Sequence, residues 1–70
     1  MLFRSAPGAD LTECKLERVD FSGMNLRVTN FSRADLKGAN FTGANLTGAV
    51  FSGAILNNAK LAKSDRKSVV

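Results

Sequence analysis

The chain has no histidine, tryptophan or tyrosine, and only one cysteine and one proline in 70 residues. Without histidine, the commonest general base and a principal zinc ligand are missing. One cysteine, Cys14, supplies neither a Cys/His metal cluster nor an internal disulfide. No run is long and apolar enough to cross a bilayer, and Met1-Leu2-Phe3-Arg4 lacks the apolar core of a secretory leader. No phosphate-cradling or dinucleotide fingerprint is present. The string G-A-N-F-T-G from Gly38 is punctuation between repeats. Charge is mixed: ten Lys and Arg against six Asp and Glu, a net +4.

What is present is a period of five. From Ala34 to Leu56 the chain reads ADLKG, ANFTG, ANLTG, AVFSG, AIL. Leu or Phe fills Leu11, Leu16, Phe21, Leu26, Phe31, Leu36, Phe41, Leu46, Phe51, Leu56 and Leu61 without a break. Two residues before each stands a small or apolar residue or Thr: Ala9, Cys14, Val19, Met24, Thr29, then Ala34 and every fifth residue to Ala59. Two inward residues separated by one outward residue follow the strand period of two. A helix would carry a Leu every five residues around in a spiral, and the Gly, Asn, Thr and Ser content would weaken it. A short fixed period is the mark of a solenoid. Cys14 falls at an inward place, where it acts as a small hydrophobe.

The charges fix how many fives make one coil. At a spacing of twenty, Glu13 meets Arg33, Lys15 meets Asp35 and Glu17 meets Lys37, all opposite in sign. At fifteen, Arg18 would meet Arg33 and Asp20 would meet Asp35, both repulsive. Opposite charges across strands help by ~0.2–1 kcal/mol and like charges oppose pairing. Twenty also stacks Phe21 on Phe41, Phe31 on Phe51, and Leu16 under Leu36 and Leu56. The expectation is an all-β solenoid of about three coils of four pentapeptides.

ADLTE at Ala9, with ADLKG, ANFTG and ANLTG, resembles the pentapeptide-repeat family and its A(D/N)LXX consensus, over Ala9 to Lys63. The resemblance implies a right-handed quadrilateral β-helix with about twenty residues per coil. By analogy it also suggests a bacterial source, and the lone cysteine suits a reducing, cytoplasmic setting. Cys14, Val19, Met24 and Thr29 replace the consensus Ala, which should loosen the lower coils. Val50, Ile55 and Lys60 replace the outward Asp or Asn. Some members protect DNA gyrase by imitating DNA. That role asks for a long acidic rod, and this chain is short and basic.

Three segments are expected: residues 1–8 as a turn or cap, with Pro7-Gly8 folding Leu2 and Phe3 over the core or leaving a frayed end; 9–63 as the β-helix; and 64–70 as a basic tail, loose or briefly helical. Glycines 23, 38, 43, 48 and 53 fall at corners, but Arg18, Val28 and Arg33 hold equivalent places, so Gly is not required at all of them. Ser and Thr lie on a convex surface, and Asp10, Asp20 and Asp35 form no pair suited to acid/base work. No enzyme activity, cofactor or metal is expected. The leading reading is a non-catalytic structural or protein-interaction module. Its candidate contact is Val50 and Ile55, in a stretch from Gly38 to Ala59 that carries no charge. The partner would be another protein or a second copy. The alternative is a weak binder of nucleic acid or another polyanion through Lys60, Lys63, Arg66 and Lys67.

Overall fold

The computed structural model describes residues 7–66, and these wind as a β-solenoid. The outward residue of each five pairs in parallel with the residue twenty positions on: Asp10 with Asn30, Lys15 with Asp35, and so on to Asn45 with Asp65. The pairing distance is therefore the one the charge pattern selects. Each five makes three bonds to the next winding. Leu11 N–H donates to the Asn30 carbonyl at 2.8 Å, Asn30 N–H donates to the Ala9 carbonyl at 2.9 Å, and Glu13 N–H donates to the Ser32 carbonyl at 2.9 Å. The first two are the slanted pair of a parallel bridge. The ladder reaches past the expected bounds at both ends, from Gly8, which donates to Arg27, to Asp65, whose carbonyl accepts from Leu46. The tail expected from residue 64 thus begins as one more rung. Leu2, Phe3 and Lys67 lie outside the described residues.

Between bridges the chain turns a corner in four residues. In the first, the Leu11 carbonyl accepts from Cys14 N–H at 3.2 Å, with Glu13 at φ 61°. Positive φ at the third residue is the condition a type II turn imposes. It recurs at every corner, at Gly8, Gly23, Gly38, Gly43, Gly48 and Gly53, and also at Glu13, Arg18, Val28, Arg33, Asn58 and Lys63. The geometry is uniform. What varies is whether the residue adopts it at ease. The bond that closes the turn is 2.9–3.0 Å where Ala34 to Ala59 donate it, and 3.1–3.2 Å where Cys14, Val19, Met24 and Thr29 do. Ser64, a small residue near the upper end, also donates at 3.2 Å, so the longer bonds occur toward both ends of the described ladder.

The core lies in the middle. Leu26, Phe31, Leu36, Phe41 and Leu46 are fully buried with Thr29, Ala34, Ala39, Ala44 and Ala49, while Leu11, Leu16, Phe51, Leu56 and Leu61 are only partly covered at the ends. Phe21 stacks on Phe41 and Phe31 on Phe51, each with ring centroids 5.0 Å apart and planes 7° from parallel. Across the interior Phe31 meets Phe41 edge to face at 5.6 Å, a favoured aromatic arrangement. Of the three expected ion pairs, Arg33 lies 3.3 Å from Glu13 and Lys37 3.8 Å from Glu17. Lys15 and Asp35 are bridge partners, but the Asp35 carboxylate lies 3.7 Å from Lys37. All are solvent-exposed enough to contribute about 1 kcal/mol or less.

Phe41 sits on Phe21 and is edge-on to both Phe31 and Phe51. Phe41→Ala is predicted to cost about 3–5 kcal/mol, a large share of so small a domain's stability. Thermal unfolding followed by circular dichroism checks this; an unchanged melting temperature would contradict the placement.

Candidate functional site

The outward Asp and Asn do more than face solvent. The ladder leaves the N–H two residues after each of them without a backbone acceptor, and the Asp or Asn oxygen takes it. Asn40 Oδ1 accepts from Thr42 N–H at 3.0 Å and from the Thr42 hydroxyl at 2.6 Å. Asp10 with Thr12, Asn30 with Ser32 and Asn45 with Thr47 repeat the pair of bonds. Asp20, Asn25 and Asp35 accept the backbone N–H of Ser22, Arg27 and Lys37. These side-chain turns satisfy a donor that otherwise depends on water. The spacing D/N-x-T/S was the available sequence signal for this role, and the sequence reading assigned those positions only a direction. At Asp10 the Thr12 hydroxyl, and then its N–H, hold the carboxyl below the usual range. This contribution is present above the unfolded-state value and is lost as pH falls through the lowered folded one.

Val50 and Ile55 occupy the same outward place but offer no oxygen to the N–H of Ser52 and Asn57. They flank the Ser52-Gly53 corner, with bridges to Asn30 and Asp35; Val50 is half-buried and Ile55 is 43% exposed. The structure adds Val28, which the sequence reading passed over. Val28 is 59% exposed and holds φ 52°, a strained conformation for a β-branched residue. A side chain at Gly48, one winding above, would meet Val28 Cγ1 at 3.0 Å. The same relation joins Arg18 to Gly38 and Arg33 to Gly53, each Arg Cγ 3.2 Å from where a Cβ would stand. These three corner side chains lean over a bare corner one winding above, whereas Glu13 has Arg33 above it.

Lys60, Lys63 and Arg66 are exposed. Lys60 bridges Asn40, and Lys63 holds a positive-φ corner. Cys14 is half-buried. A depression lined by Glu17, Arg18, Lys37, Gly38 and Asn58 marks one corner. Among the described residues no three His, Cys, Asp or Glu come close enough to hold a metal, and no helix is long and apolar enough to cross a membrane.

A parallel ladder every twenty residues, a positive-φ corner every five and an Asx-capped turn define a solenoid of five-residue repeats. The sequence profile described as pentapeptide repeats matches eight copies over residues 8–43 and 29–65, and the chain belongs to the pentapeptide repeat family. No curated protein matches it by sequence. Among solved structures, a pentapeptide repeat protein from the Arabidopsis thaliana thylakoid lumen is 37% identical over 94% of this chain and 46% of its own, with a TM-score of 0.92. The pentapeptide repeat protein Rfr23 from the cyanobacterium Cyanothece 51142 is 34% identical over 94% and 46%, with a TM-score of 0.90. One from Nostoc Pcc 7120 is 30% identical over 96% and 64%, with a TM-score of 0.56. The chain thus spans less than half the length of the first two.

Two substitutions test this local chemistry. Asn40→Ala removes the acceptor of a half-buried N–H and is expected to cost about 1–3 kcal/mol, whereas Asn40→Asp keeps it; urea unfolding compares them. Val28→Gly relieves a strained corner and is expected to gain about 1 kcal/mol. A lower urea midpoint for Val28→Gly would show that the strain is not there.

Proposed function

We propose that this chain is a non-catalytic interaction module, a right-handed, four-sided β-helix of nearly three coils that meets another protein or a second copy of itself at the Val50–Ile55 corner. One observation carries the reading. At two successive fives the Asx cap is replaced by an apolar side chain, which loses a turn hydrogen bond and leaves apolar area in solvent. Folding favours Asp or Asn at both places, so a contact is the gain that offsets the loss. The stretch from Gly38 to Ala59 has no charge to desolvate, as suits the centre of an interface. The cyanobacterial relatives support a bacterial setting, and the lone Cys14 supports a reducing, cytoplasmic compartment. Recovery of the native protein from a lumen or periplasm, as for the Arabidopsis relative's lumenal location, would overturn that placement.

The double variant Val50→Asn, Ile55→Asn restores both caps and removes the apolar corner without setting a second carboxylate opposite Asp35. It is expected to unfold at the same or a higher urea concentration than the natural chain while losing association. Sedimentation and light scattering over a concentration range, with and without extract from the source cell, read the second effect. A natural chain that stays monomeric and captures nothing that the double variant fails to capture would sink the reading.

A further inference from the structure

The pairing register divides the described surface into two sides. Residues 9–17, 29–37 and 49–57 stack on one; residues 7–8, 18–28, 38–48 and 58–66 stack on the other. The first side carries three cations, Lys15, Arg33 and Lys37, against four carboxylates, Asp10, Glu13, Glu17 and Asp35. Its charges alternate from Glu13 through Lys15 to Glu17 and from Arg33 through Asp35 to Lys37, and its Arg33 and Lys37 are in ion pairs. The second side carries five cations, Arg18, Arg27, Lys60, Lys63 and Arg66, against Asp20 and Asp65. All five cations are exposed, and none makes an ion pair with another described residue. The positive charge of the described chain is therefore collected on one side, which the linear sequence does not reveal.

That side is organised in rows. Arg18 and Arg27 lie in the lowest winding and Lys60, Lys63 and Arg66 in the uppermost. Between them runs an uncharged strip of Gly38, Asn40, Thr42, Gly43, Asn45 and Thr47. Its amides and hydroxyls are held in fixed turns by the bonds from Thr42 to Asn40 and from Thr47 to Asn45. Gly43 stands at the centre with nothing within 4 Å of where a side chain would be, so a ligand backbone can approach closely. Arg18 lies over the bare Gly38 corner, and its stem thus leans toward the strip. Two windings of parallel ladder put the cation rows about 10 Å apart, about three nucleotide rises along the axis of a DNA duplex.

We propose that this side binds the phosphodiester backbone of nucleic acid, laid across the Gly43 corner between the two cation rows. The contact is independent of sequence, since it is made to phosphates and not to base edges. It uses a different side of the solenoid from the Val50–Ile55 corner and stands whether or not that corner binds anything.

The test is fluorescence anisotropy of a labelled random-sequence DNA duplex titrated with the full chain from 20 to 200 mM NaCl. The expected result is weak binding that falls steeply with salt. The variants Arg18→Gln with Arg27→Gln, and Lys60→Gln with Lys63→Gln, should each weaken it by about tenfold or more at low salt and flatten the log–log salt slope by about 2. Lys15→Gln with Arg33→Gln removes the same charge from the other side and should leave the slope unchanged. Circular dichroism confirms that all three variants fold. Equal weakening by the third variant, absence of salt-dependent binding, or binding to phosphatidylserine vesicles but not to the duplex would each overturn the assignment.

Discussion

Everything in this protein hangs on a parallel hydrogen-bond ladder whose rungs are one residue wide. Each side of a winding contributes a single bridge, such as Asp10 to Asn30, and then the chain must turn. A bridge that short cannot hold a strand together by itself. Its stability comes from repetition, with three backbone bonds per five residues renewed at every winding. The short rung sets the other requirements in turn. The corner must be tight, so its third residue takes positive φ. The tight corner turns one N–H away from the ladder, so an outward oxygen must accept it. The narrow interior admits one large and one small side chain per five, so Ala and Leu or Phe recur.

Much of this was readable in the sequence because a repeat reports each constraint many times. The unbroken Leu and Phe positions announced the inward face, and three opposite-charge pairs at a spacing of twenty announced the register. The aromatic columns of Phe21 with Phe41 and Phe31 with Phe51 followed from that register and were found. The corners were harder to read. A glycine signals positive φ, but Arg18, Val28 and Arg33 do not, and the shared conformation appears only when their backbone angles are seen. Each of these three side chains reaches against a glycine one winding above. That is a relation between residues twenty apart and not a property of either residue alone.

The candidate site was legible in part for the same reason. Val50 and Ile55 stood out as departures from a consensus, but the consensus does not explain what they give up. The loss became visible when Asn40 and its equivalents were seen accepting an N–H at the corner that follows. Val28 was invisible because the fifth place of the repeat tolerates many residue types, and only the strain and exposure together single it out. The charge distribution was hidden more completely. In the linear sequence the basic residues are spread from one end to the other, and winding gathers five of them on one side while it pairs Arg33 and Lys37 on the opposite side.

The edge-to-face contact between Phe31 and Phe41 bears on how such a chain can change length. The ladder itself would accept the loss or gain of any five residues, since every five presents the same donors and acceptors. The interior would not. Deleting residues 41–45 would bring Leu46 over Phe21 and Leu56 over Phe31, so both aromatic stacks, and the contact that braces one against the other, would be lost. The backbone thus counts in fives while the core, with Phe at every tenth residue from Phe21 to Phe51, counts in tens. Growth of this stretch by pairs of repeats keeps Phe on Phe and Leu on Leu, and growth by single repeats scrambles them.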